Sequence, residues 1–210
     1  MKAISRLRRI PFTLCMVLSI LLLAYHFGSL QGSLAPIVEQ RWGVGLHQLW
    51  DGRPYTLITS VFLTRRPFMV LGMVVVVGGI MGLYEWLVGW RRAALLYWST
   101  DLAAKLATMM LVVLPLDRAG TALGHSLAAC SDIGASVGGT GCLGALLHYV
   151  PTRYRRLAIV VTLLYHIGRP LVYPDPCADV AHTFALGIGW WLGGRFQNSA
   201  NYVGADDDPT

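Results

Sequence analysis

Charge is scarce in this chain of 210 residues. Charged side chains make up 13% of it, against 55% hydrophobic residues, and mean hydropathy is +0.54. An ordinary soluble domain carries about a quarter charged residues, so that class is a poor fit. Acidic residues are the scarcer sign, with 11 Asp and Glu against 17 Lys and Arg and a net charge of +6. No Lys/Arg stripe with interleaved aromatics lies on a polar segment, so the basic excess does not point to nucleic acid. The four cysteines (Cys15, Cys130, Cys142 and Cys177) have neither a CxxC pair nor metal-ligand spacing, which argues against a zinc or thioredoxin-type site. No metal and no cofactor are expected.

What the chain has instead is apolar length. Runs over 12–27, 68–88, 93–116, 133–150, 157–173 and 180–196 approach the ~20 residues that cross a bilayer as helix. The expectation is an all-α membrane protein, a single domain over 1–210 with a helical core of six spans over 12–196. A polar tail over 197–210 is expected to be disordered. The basic start (Lys2, Arg6, Arg8, Arg9) followed by the first run also fits a signal peptide, with Gly28-Ser29 as a small-residue cleavage region. An uncleaved first helix is preferred. Alternating sides puts Arg91, Arg92, Arg153, Arg155, Arg156 and Arg195 beside the basic start on short cytoplasmic segments. Arg41, Arg53, Arg65, Arg66, Arg118 and Arg169 spread over longer outer loops. Both termini then face the cytoplasm. The loop 29–66, with Trp42, Trp50, Tyr55 and Phe62, reads as amphipathic and interfacial.

Two polar features stand inside apolar runs. Asp101 and Lys105 lie at i, i+4 in the third, where each alone costs roughly 2.5–3.5 kcal/mol at a helix centre. They read either as a buried structural pair or as an ion relay, the latter implying a small transporter. The stretch 131–144 is crowded with glycine, and Ser136, Thr140 and Gly144 share one helical face. His182, in the sixth run, sits above a similar seam of Ala185, Gly189 and Gly193. On the six-span topology Ser136 and His182 share a depth near the outer side. A serine hydroxyl is a weak nucleophile until a neighbouring base takes its proton, which is the task His182 would perform. Helix packing by a small-residue face is the alternative for the serine. Asp132 and Asp179 read as N-caps of the fourth and sixth helices.

These motifs resemble one family. Gly134-Ala-Ser136 with Gly144 beyond it, and Ala181-His182 with Gly189 beyond it, are similar to the helix-four and helix-six motifs of the rhomboid intramembrane serine proteases. The stretch 55–63 looks like that family's first-loop motif, and Leu83-Tyr-Glu85 with Gly89 looks like the end of its second helix. The resemblance covers roughly 12–196. It implies a rhomboid-like bundle in which Ser136 and His182 form a catalytic dyad that cleaves a single-span membrane protein. It equally allows an inactive relative that binds transmembrane segments. The expected setting is an integral, multi-pass protein of the plasma (inner) membrane of a bacterium, in contact with lipid.

The chain departs from the family pattern at several points. Val137 replaces a glycine after the serine, Tyr55-Thr56 replaces Trp-Arg, and Thr140 stands where many relatives have tyrosine. The second helix of the family begins His-x-x-x-Asn, two oxyanion donors, and Phe68 and Gly72 are the matching positions here. The expected substitutes are the Ser136 backbone N–H with Gly134 beside it, and the side chains of His125 or Thr64. Cys130 and Cys177, each just ahead of one dyad member, are expected to pair as a disulfide on an oxidising outer face.

Overall fold

The computed structural model describes residues 9–172 and 174–203, with side chains described to 197. The expectations for Lys2, Arg6 and Arg8, and for 204–210, lie outside the described residues. Among the described residues the regular secondary structure is helical, with turns and irregular segments between the helices and one isolated bridge between Val44 and Asp132. In chain order the helices are α1 (Pro11–His26), α2 (Pro36–Trp42), α3 (Leu46–Trp50), α4 (Thr56–Thr59), α5 (Pro67–Val88), α6 (Trp90–Arg118), α7 (Ala122–Ala129), α8 (Ser136–Leu146), α9 (Thr152–Val172) and α10 (Pro176–Val203). Two of them, α5 and α6, are long and apolar enough to cross a membrane, and α1 is a shorter apolar helix of 16 residues.

The helices follow the apolar runs with informative shifts. Residues 197–203, expected to be disordered, continue α10. The segment 117–132, expected as a loop, contains α7, capped by the Thr121 hydroxyl accepting the Gly124 N–H at 3.0 Å. The fourth helix begins at Ser136, three residues later than the apolar run suggests, because 130–135 is non-helical, pairing at Asp132 and turning at Gly134. Asp132 therefore does not cap it. Its backbone instead pairs with Val44, donating at 2.6 Å and accepting at 2.9 Å. Asp179 is not the N-cap of α10 either: the helix starts at Pro176, and Asp175 ahead of it accepts the Ala178 N–H at 3.4 Å. Asp179 lies in the first turn, where it accepts the Asp175 N–H at 3.1 Å and pairs with Arg169 of α9.

Helix α8 is the centre of the bundle. From Val137 to Cys142 every residue is buried. At 1.5 Å per residue its 11 residues give a rod of about 16 Å, and its narrow surface lets three helices close on it. A Cβ at Gly138 would lie 2.6 Å from the Tyr97 ring of α6, and one at Gly139 or Gly141 would overlap Val76 of α5 or Thr100 of α6. On the remaining face α8 meets α10 backbone to backbone. A Cβ at Gly189 would fall inside the Gly141 carbonyl oxygen, and one at Gly193 would lie 2.6 Å from the Ala145 Cα. The core around this helix is Val77, Met81, Tyr84, Leu96, Tyr97, Ala135, Cys142 and Ala145.

The other elements fasten to that centre. Glu85, fully buried on α5, caps the start of α1: its carboxylate accepts the N–H groups of Phe12 at 2.9 Å and Thr13 at 2.7 Å, and the Thr13 hydroxyl at 2.6 Å. Unpaired N–H groups at a helix start attract a carboxylate in this way. In contrast, α9 presents Leu157, Val161, Leu164, Ile167 and Leu171 outward, and Thr162 is its one buried residue.

The glycine contacts make a paired prediction. Gly189→Ala is expected to destabilise the fold by at least about 1–3 kcal/mol, since the added methyl overpacks a closed contact. Gly187, two residues away, has open space where a Cβ would go, so Gly187→Ala is expected to be neutral or stabilising by about 0.5–1 kcal/mol. Thermal unfolding of the two purified variants checks the difference.

Candidate active site

The backbone contact between α8 and α10 places two side chains opposite each other. Ser136 is the first residue of α8, and His182 lies in the second turn of α10. The Ser136 Oγ and His182 Nε2 atoms are 2.9 Å apart. The serine is half-buried and His182 is 9% exposed. This geometry suits proton transfer from the hydroxyl to the ring nitrogen.

The residues around Ser136 are held by other helices. Gly134 has φ +123°, a conformation that side-chain-bearing residues rarely adopt, and it turns the non-helical stretch into α8. A Cβ there would lie 2.5 Å from the Met73 methyl and 2.9 Å from that of Met69, so space also requires glycine. Its N–H donates to the Ser60 carbonyl at 2.8 Å. Next to it, the Ala135 carbonyl accepts from the Tyr97 hydroxyl at 3.1 Å, and the Ala135 N–H meets the Met73 sulfur at 3.2 Å. On the far side of the serine, the Gly138 N–H donates to Asp101 Oδ1 at 3.2 Å.

Asp101 and Lys105 form a buried ion pair. They are 0% and 1% exposed and 2.8 Å apart, and Lys105 also donates to the Ser60 hydroxyl at 3.2 Å. No relay chain leads away from them among the described residues.

The expected oxyanion donors are not brought to the serine. His125 is exposed on α7 and its ring pairs with Asp117 at 2.7 Å. The Thr64 hydroxyl is buried against Ser29 at 2.7 Å, and the Gly134 N–H is committed to Ser60. What remains is the first turn of α8, where the Ser136 and Val137 N–H groups have no intrahelical acceptor by helix geometry. The register of α5 also differs from expectation. Phe68 is 80% exposed, and a Cβ at Gly72 would meet open space. The α5 side chains that face the serine segment are Met69 and Met73, also spaced i, i+4. A thioether is a weak acceptor and donates nothing.

Cys130 and Cys177 do not pair. Cys130 ends α7 and is exposed, whereas Cys177 is buried in the first turn of α10 against Leu46, Met109 and Leu127. Both are free thiols, so the expected disulfide is not formed: one thiol points to solvent and the other into an apolar cluster.

Above the serine lies a polar girdle that sequence spacing did not reveal. Arg65 donates to Glu39 at 2.8 Å and to the Ser131 carbonyl at 2.7 Å, and lies 3.6 Å from Asp175. Asp132 sits within this girdle, 7% exposed. Burial pushes its carboxyl up to about 6; Lys105 and Arg65 act downward, Asp175 and Asp101 upward. The folded state thus favours the neutral acid relative to the unfolded chain, whose carboxyl titrates near the ordinary value of about 3.9. That preference contributes stability in full below the unfolded value and is lost as pH rises through about 6. Asp132→Asn is therefore expected to stabilise the protein by about 1–3 kcal/mol above neutrality, and this gain is expected to vanish below about pH 4. Unfolding midpoints of both proteins across that range measure it. Compared with known proteins, the chain matches no family model, no curated protein and no solved structure.

Proposed function

We propose that this protein is an intramembrane serine protease of rhomboid type, with Ser136 as nucleophile and His182 as its base. The observation that carries the reading is the 2.9 Å approach of Ser136 Oγ to His182 Nε2 on two helices packed backbone to backbone. Six helices would cross the bilayer (α1, α5, α6, α8, α9 and α10), with both termini in the cytoplasm. The apolar exteriors of the outer helices support this arrangement. Leu22, Leu71, Leu111, Leu164 and Trp191 are each more than half exposed, and such a surface suits lipid better than water. The aromatic and arginine pairs Trp90–Arg91, Tyr154–Arg153 and Trp191–Arg195 suit an inner interface.

In this reading the scissile carbonyl of a single-span membrane protein is attacked by Ser136 Oγ while His182 Nε2 takes the hydroxyl proton. His182 then returns that proton to the leaving amine, which departs and leaves an acyl ester on Ser136. Water, deprotonated by His182, hydrolyses the ester and regenerates the serine. The oxyanion is served by backbone N–H groups at the start of α8. Loss of one oxyanion donor costs about a hundred- to a thousandfold in kcat, so the Met69 and Met73 faces imply slow turnover.

Those same methionines favour one second reading. A bundle with thioethers in place of donors also suits a protein that holds transmembrane segments without cutting them. A serine-directed fluorophosphonate probe separates the two. The protease reading expects labelling of the wild type that disappears in both Ser136→Ala and His182→Ala. A folded wild type that takes no label favours the binder.

A further inference from the structure

The segment that carries Ser136 is closed into a ring of buried polar contacts. Starting from the Ser60 carbonyl, the chain of contacts runs to the Gly134 N–H at 2.8 Å and along the backbone through Ser136 to Gly138. From the Gly138 N–H it passes to Asp101 Oδ1 at 3.2 Å, from Asp101 Oδ2 to Lys105 Nζ at 2.8 Å, and from Lys105 back to the Ser60 hydroxyl at 3.2 Å. Tyr97 adds a brace across it at the Ala135 carbonyl, at 3.1 Å. Ser60, Tyr97, Asp101 and Lys105 are all at most 1% exposed.

A buried ion pair is a poor device for stability alone, because its desolvation cost offsets most of its attraction, and an apolar pair of similar volume does as well. Here each ion has a second contact, and each second contact leads to the serine segment. Asp101 holds the residue two after Ser136. Lys105, through Ser60, holds the residue two before it. Packing by glycine sets the distance between α8 and α10, and the ring adds a hold on the backbone on either side of Ser136, at Gly134 and Gly138.

We infer that Asp101 and Lys105, with Ser60, are positioning residues that hold Ser136 in register with His182. The inference rests on the protease reading for its consequence in rate, and on geometry alone for the hydrogen bond itself. It goes beyond a structural pair, because it ties the pair to the alignment of the nucleophile and not to the survival of the fold.

The test uses the full chain in detergent and the double variant Asp101→Asn/Lys105→Met, which leaves no unpaired charge in the interior. Two readouts are taken. One is fluorophosphonate inactivation as a function of probe concentration. The other is the 15N spectrum of His182 in histidine-labelled protein, which reports its hydrogen bond whether or not the protein is active. The expected result is a maximal inactivation rate reduced at least tenfold, with the half-saturating probe concentration unchanged within twofold, and a displaced His182 signal in a folded protein. A merely structural pair would alter the unfolding midpoint and leave both readouts as in the wild type, and that result would overturn the inference while the protease reading stands. If the wild type takes no label, the protease reading fails and the His182 signal alone decides the positioning role: displaced in the variant supports it, unchanged overturns it. Ser60→Ala, which removes only the hydroxyl that Lys105 holds, serves if the double variant does not fold. It is expected to shift the same two readouts in the same direction, and an unchanged pair of readouts overturns the inference.

Discussion

Everything in this molecule depends on how closely α8 and α10 approach. Two helices with ordinary side chains pack with axes about 8–10 Å apart, and glycine on both faces removes the layer that keeps them there. Gly141 meets Gly189, and Gly144 meets the Leu186 carbonyl, with no side chain between. Only at such a separation do side chains as short as serine and histidine touch across two helices. The same narrowness explains why α8 is the central helix. A rod with almost no side chains offers backbone to every neighbour, so Tyr97, Thr100 and Val76 pack directly against it.

Much of this was legible in the chain. The helices lie within a few residues of the apolar runs, because a helix that must be apolar writes its length into composition. The facing of Ser136 and His182 followed from two small-residue seams of helical period. The Asp101–Lys105 pairing followed from i, i+4 spacing and the cost of leaving either charge alone.

Other features left no periodic trace. Residues 133–135 are apolar enough to be helix, yet the antiparallel bridge at Asp132 and the turn at Gly134 keep them out of it, and the bridge partner Val44 lies in a loop whose position depends on the whole fold. The face that α5 turns to the serine segment is offset by one residue from the expected one, Met69 and Met73 standing there in place of Phe68 and Gly72. In a helix that is apolar all round, Phe68 and Met69 are equivalent on paper, and the contact with Gly134 decides between them. The cysteines stay unpaired for a related reason: lying six residues ahead of Ser136 and five ahead of His182 says nothing about which way each thiol points. The girdle around Arg65 joins residues from four separate segments and has no local signature.

The non-helical lead-in to α8 has a consequence for where the protein can be handled. Non-helical backbone at membrane depth is tolerated only when it is enclosed by protein or lines water. Here the named groups of that lead-in are met from within the chain: Asp132 by Val44, the Ser131 carbonyl by Arg65, Gly134 by Ser60, and Ala135 by Tyr97 and Met73. The shape around the serine is thus held by the chain's own contacts, and it is expected to persist in any medium that keeps α6 and α10 against α8.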